Sequence, residues 1–165
     1  METSIRRAKL PDAPRIVEMT RGFGRDGVII PLSIGDTLER TRNFLLAETE
    51  DGRLVGCVAV DPAWGLLVEI RSLAVATEFQ GRGIGRSLMS AALADAREFG
   101  AEEIFGLTYV PDFFRRFGFA QVDRNSLPHK VWLVCVKCPK FPDCGEVPMK
   151  MRLVPEEKRA EPPEE

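Results

Sequence analysis

The chain has 165 residues, 44% hydrophobic and 29% charged, with a formal net charge of −2 at pH 7. That length and apolar content suit a single domain with a real core, and the balanced charge excludes a bulk electrostatic draw toward nucleic acid or an anionic membrane. No apolar run approaches the roughly 20 residues of a membrane span, and residues 1–7 lack the apolar stretch of a signal peptide, so a soluble cytoplasmic protein with reduced cysteines is expected.

Residues 5–10 are predicted as a strand closed by Pro11-Asp12. Asp12 then serves as the N-cap of a helix ending near Gly22, on the pattern Ala13, Ile16, Val17, Met19. A glycine-rich loop over 22–31 follows, with Val28-Ile29-Ile30 touching the core, and then a short helix over 33–42. Strands over 44–48 and 53–60 flank Asp51-Gly52, a strong hairpin signal. Residues 66–75 read as an apolar strand carrying one acid and one base, Glu69 and Arg71. Ile84, Leu88, Ala91, Ala92 and Ala96 keep a helical period over 84–99, and Gly100 ends that helix. A strand over 103–108, a short helix over 111–117 stopped by Gly118, and strands over 119–122 and 131–136 complete the pattern. One domain is expected over 1–154, with a cysteine-containing extension from about 123 and a frayed tail over 155–165. A hairpin followed by strand–helix–strand predicts a mixed α+β sheet with a parallel pair at its centre.

The segment Gln80-Gly81-Arg82-Gly83-Ile84-Gly85-Arg86 joins the strand carrying Glu69 to the long helix. A helix N-terminus presents unpaired N–H groups and partial positive charge, which suits a phosphate. Glycines at 81, 83 and 85 let the backbone approach a ligand, and Arg82 and Arg86 add charge-assisted donors. A plain tight turn would need one glycine rather than three. The Gly-Lys-Ser/Thr of a Walker loop is absent, and the dinucleotide fingerprint fails because its third glycine would fall at Arg86.

The pattern Q-x-x-G-x-G, preceded by Leu73-Ala74-Val75, resembles motif A of the GNAT superfamily of N-acetyltransferases. The resemblance implies a mixed sheet with a splayed parallel strand pair and flanking helices, and acetyl-CoA as cosubstrate. It implies that the pantetheine arm meets the backbone of Leu73 and Val75, and that the pyrophosphate meets the turn from Gln80 through Gly81, Arg82, Gly83 and Gly85 to Arg86. Phe113-Phe114 and Gly118-Phe119 match a second landmark of the family.

Acetyl transfer needs an unprotonated amine, so a base near the acceptor raises the reactive fraction. Glu69 sits on an apolar strand, where desolvation should raise its pKa. It lies eleven residues before Gln80, the spacing of the catalytic glutamate in related acetyltransferases. An ion pair with Arg71, on the same strand face, is the structural alternative. The family's usual acid, a tyrosine, falls at Phe114; Tyr109, the single tyrosine, is the substitute candidate.

Longer stretches, Gly27-Val28-Ile29-Ile30-Pro31-Leu32-Ser33, the strand of Glu69, Leu107-Thr108-Tyr109 and Leu127-Pro128-His129-Lys130-Val131-Trp132, are similar to short amino-acid N-acetyltransferases related to the acetyltransferase domain of N-acetylglutamate synthase. This implies a small amine acceptor, glutamate-like and belonging to arginine biosynthesis, and a family that commonly dimerises. The family places an arginine where this chain has Leu32, and longer relatives place another at Val110, leaving Arg71, Arg25 or Lys130 as candidate carboxylate partners. Acetylation of a protein or peptide amine, or a non-catalytic acetyl-CoA sensor, are the alternative functions. Cys135-x-x-Cys138 with Cys144 and His129, or Cys57, forms a candidate ligand set for a structural zinc or iron–sulfur centre. A redox pair and simply buried cysteines are the other readings of that cluster.

Overall fold

The computed structural model describes residues 2–25, 32–128 and 145–153. Among these, seven strands form one sheet: β1 (Thr3–Arg7), β2 (Phe44–Thr49), β3 (Leu54–Trp64), β4 (Leu67–Val75), β5 (Glu103–Thr108), β6 (Ala120–Gln121) and β7 (Val147–Arg152). Their order across the sheet is β1-β2-β3-β4-β5-β7-β6. β1 through β4 pair antiparallel, β4 and β5 parallel, and β7 runs antiparallel to both β5 and β6. The mixed sheet with a parallel pair and flanking helices agrees with the sequence reading. The β2–β3 connection turns at Gly52, with φ +83°, as Asp-Gly predicts.

Alternation sorts the strands onto two cores. On one face, α3 (Ile84–Glu98) lays Ile84, Leu88, Met89, Ala92, Leu93 and Ala96 over Val58, Val60, Val68 and Ile70. Gly56 permits this approach, because a Cβ there would stand 2.9 Å from Leu88 and 3.1 Å from the Ala74 carbonyl. Gly100, at φ +92°, ends α3, and the Ala101 N–H returns to the Ala96 carbonyl. On the other face, α1 (Ala13–Arg25) buries Ile16 against Phe44, Leu46, Cys57, Ala59 and Ala74, with α2 (Ile34–Glu39) beside it. The short α4 (Pro111–Arg115) follows β5. No described helix is long and apolar enough to cross a membrane.

Four local readings change. α1 runs past Gly22 to Arg25. Asp12 caps no turn of α1; its carboxylate accepts from the Lys9 N–H, Arg6 and Arg15, and the Arg6 guanidinium holds it well below the usual carboxylate range. β3 continues four residues beyond Val60, since the β2 ladder ends at Ala59 and Pro62 interrupts nothing on that side. β7 inserts between β5 and β6, a strand absent from the sequence reading. The expected strand over 131–136 lies outside the described residues, as does the tail over 155–165.

Candidate active site

The parallel ladder of β4 and β5 lasts three rungs, Leu67↔Glu103, Val68↔Ile104 and Glu69↔Phe105. Beyond Glu69 the two strands part, and residues 70–75 of β4 run on without a β5 partner. A bulge accompanies the parting. Ala59 pairs with Arg71 but Cys57 with Ala74, so β4 holds one extra residue, and Ser72 there adopts φ +55°. The Cys57 thiol donates to the Ser72 carbonyl at 3.2 Å. After the bulge the Ala76 N–H donates to Val55 on β3, so by alternation the backbone groups of Leu73 and Val75 turn toward the gap.

The glycine turn begins where β4 ends. Gln80 uses its side-chain amide to donate to the Val75 carbonyl at 3.1 Å, tying the turn to the strand. Gly81 and Gly83 stand at φ +78° and +82°, with open space where a Cβ would be, and Gly83 is the N-cap of α3. Gly85 instead faces protein, since a Cβ there would touch Val75 and Phe113, each at 3.8 Å. Arg82 lies over the Phe79 ring at 5.1 Å, and Arg86 is exposed. Open backbone at a helix start, with two cations beside it and a strand gap leading away, fits a pyrophosphate carrying a long arm.

Glu69 stands on the last rung before the gap. Its side chain is mostly buried, and burial pushes its pKa up to about 7 against the opposing pull of Arg71, whose Nε is 4.0 Å away. The expected sharing of one strand face by Glu69 and Arg71 holds. Asp61, the β3 residue directly opposite Glu69, adds to the rise. Arg40, just after α2, grips Asp61 with two hydrogen bonds of 3.1 and 2.6 Å, and Asn43 adds a third of 2.8 Å. Sequence reading missed Arg40, Asn43 and Asp61. The signal was present for Asp61, a lone acid following Val58-Ala59-Val60, but Asp61-Pro62 resembles a strand end.

The remaining sequence candidates take other places. Phe114 is buried edge-on against Phe119, 5.0 Å between centroids, so no hydroxyl stands at the family's tyrosine position. Tyr109, half-buried at the end of β5, packs beside Gly145. Leu32 packs against the core around Ile16 and Phe44. Cys57 is fully buried, and burial pushes its thiol up to about 12, the behaviour of a small core residue rather than a reactive ligand. His129, Cys135, Cys138 and Cys144 lie outside the described residues, and among the described residues no cluster of three or more His, Cys, Asp or Glu is arranged to hold a metal ion.

Residues 17–119 match the model of the acetyltransferase (GNAT) family. The chain is 38% identical over 152 residues to an uncharacterized N-acetyltransferase of Chlorobaculum tepidum, covering 92% of this chain and 97% of that one. It is 30% identical over 130 residues to an amino-acid acetyltransferase of Mycobacterium tuberculosis, covering 78% and 74%. Among solved structures it is similar to a Mycobacterium tuberculosis protein in complex with CoA, with a TM-score of 0.77 and 28% identity over 92% of this chain and 99% of that one. It also resembles N-acetylglutamate synthase from Neisseria gonorrhoeae complexed with CoA and N-acetyl-glutamate, with a TM-score of 0.82 over 94% of this chain. At 24% identity and 36% of the synthase's length, that likeness carries the fold alone. The splayed β4–β5 pair, the glycine turn and these relatives agree: this chain belongs to the GNAT family and is an acetyl-CoA-dependent N-acetyltransferase.

Proposed function

We infer that this enzyme acetylates the amine of a small, carboxylate-bearing acceptor, an amino acid, with Glu69 as general base. The observation that carries the reading is the position of Glu69. It is a mostly buried carboxylate on the final β4–β5 rung, with a pKa of about 7, where a base for neutral-pH chemistry is most effective. Support for the acceptor class comes from the 30% identity to an amino-acid acetyltransferase and from Arg71, a second charge on the same face.

In this reading the amides of Gly81 to Arg86 hold the pyrophosphate, Arg82 and Arg86 supply charge, Gln80 fixes the turn, and Leu73 and Val75 carry the pantetheine arm. Acetyl-CoA supplies an activated carbonyl. Glu69 takes one proton from the acceptor's ammonium, and the freed amine attacks the thioester carbon. The new C–N bond forms as the C–S bond breaks, and the proton then in excess on nitrogen passes to the departing thiolate or to water. Phe114 has no proton to give, so this proton reaches the thiolate directly or through water, with Tyr109 as the substitute donor. Arg71 would hold the acceptor's carboxylate; Leu32, an apolar residue, contributes no such bond.

The test is thiol release from acetyl-CoA over a panel of the twenty amino acids, small amines and short peptides. One or more free amino acids should be turned over fastest, and Glu69→Gln should lower kcat by about 10²–10⁴-fold with little change in acetyl-CoA affinity. Turnover confined to peptides would contradict the acceptor class, and a Glu69→Gln enzyme of wild-type rate would contradict the base.

A further inference from the structure

A second cluster of buried charge lies beside Glu69, around Asp61. As register partners across the β3–β4 ladder, Asp61 and Glu69 leave the sheet on one face, where two like charges directly opposite repel. A purely structural position at 61 would be better served by a neutral residue. Instead Asp61 is 7% exposed and fully engaged: Oδ1 accepts from Arg40 Nε and Asn43 Nδ2, and Oδ2 from Arg40 Nη2. The guanidinium fork is the most directional of such contacts, so Arg40 and Asp61 satisfy each other. Arg71 receives only the remainder. Its Nη1 is 3.5 Å from Asp61 Oδ2 and its Nε 4.0 Å from Glu69 Oε1, both beyond good hydrogen-bond reach for this pair.

Resting on the assignment of Glu69 as base, we propose that Asp61, clamped by Arg40 and Asn43, is the positioning residue of the reaction: it steers Arg71 off Glu69 and leaves it as the cation that receives the acceptor's carboxylate. The charges then balance at each stage. Arg40 and Asp61 cancel, and ionised Glu69 faces Arg71 before the reaction. When Glu69 takes the ammonium proton, Arg71 is left uncompensated and the acceptor's carboxylate completes it. The charged groups facing Glu69 are Arg71 on its own strand, Asp61 on β3, Arg40 after α2 and Glu146 before β7. Removing Asp61 therefore leaves two cations beside Glu69, lets Arg71 swing onto it, and makes it a weaker base.

The experiment compares wild type, Asp61→Asn and Arg40→Lys, using as acceptors the fastest amino acid of the panel and its α-amide. Asp61→Asn should move the acid limb of the rate profile about one pH unit lower. It should also raise KM for the amino acid roughly tenfold, with KM for acetyl-CoA and for the α-amide unchanged, since a lost charge-assisted contact is worth about a factor of ten or more. Arg40→Lys keeps the charge but not the fork, so the amino-acid KM should rise while the limb stays. An unchanged limb and acceptor KM in a folded Asp61→Asn enzyme would overturn the proposal. If Asp61→Asn does not fold, Arg40→Lys decides: an unmoved amino-acid KM overturns the proposal, and a selective rise upholds it. Failure of the underlying base assignment is separately visible, because Glu69→Gln would then keep the wild-type limb.

Discussion

Glu69 keeps its proton to a pH where an exposed glutamate has long lost it, because burial outweighs the attraction of a guanidinium 4.0 Å away. This has a consequence for stability whose sign is fixed by linkage. The unfolded value is 4.5 and the folded value about 7, so the folded chain binds more protons between those limits and loses stability as pH rises through them. The penalty is complete about one unit above the folded value and constant beyond that. Glu69→Gln removes it, so the variant should be more stable than wild type by roughly 1–3 kcal/mol at pH 8, and nearly equal to it at pH 4. Denaturant melts at the two pH values measure this. A variant less stable than wild type at pH 8 would mean that the pairing with Arg71 outweighs desolvation. Glu69 was legible in the sequence because it is a lone acid in an apolar strand. Asp61 carries the same signature and was hidden by the proline after it, and Arg40 could be linked to either only through the fold.

At the scale of elements, the gap depends on how β5 leaves β4. Gly106 lies one residue past the last rung, and a Cβ there would stand 2.8 Å from Ile70 Cγ2, 3.0 Å from Phe114 Cε1 and 3.4 Å from the Ile70 carbonyl. The strands touch at that point before they diverge. Gly106→Ala should therefore cost about 1–3 kcal/mol by overpacking. Gly35→Ala, in α2 with nothing within 4 Å of the added Cβ, should be neutral or mildly stabilising, and thermal melts of the pair check the contrast. The glycine turn and α3 were legible because a repeated glycine spacing and a helical period are local signals. β7 was not. Val147–Arg152 has a proline in second place and alternates poorly, and its pairing with β5 from Glu103↔Arg152 to Thr108↔Val147, and with β6 on the other side, makes it a strand.

Over the whole molecule the two faces of the sheet divide the work. α3 and its core fix the glycine turn at the end of β4, while the face of α1 and α2 carries Arg40, Asp61, Glu69 and Arg71. In the proposed reading, donor and acceptor meet β4 from different directions, the donor along residues 70–75 and the acceptor at the last rung. The turn alone made the donor legible, whereas the residues proposed for the acceptor come from β3, β4 and the end of α2, far apart in the chain. The measurement that bears most directly on this account is the pH dependence of kcat/KM for the fastest amino-acid acceptor, in wild type and Glu69→Gln. With Glu69 as base, the wild-type profile rises through an acid limb near pH 7 and falls as the acceptor's own ammonium deprotonates. The Gln variant loses that limb and follows the free amine alone. A wild-type profile that already follows the free amine, with no limb near pH 7, would contradict the account.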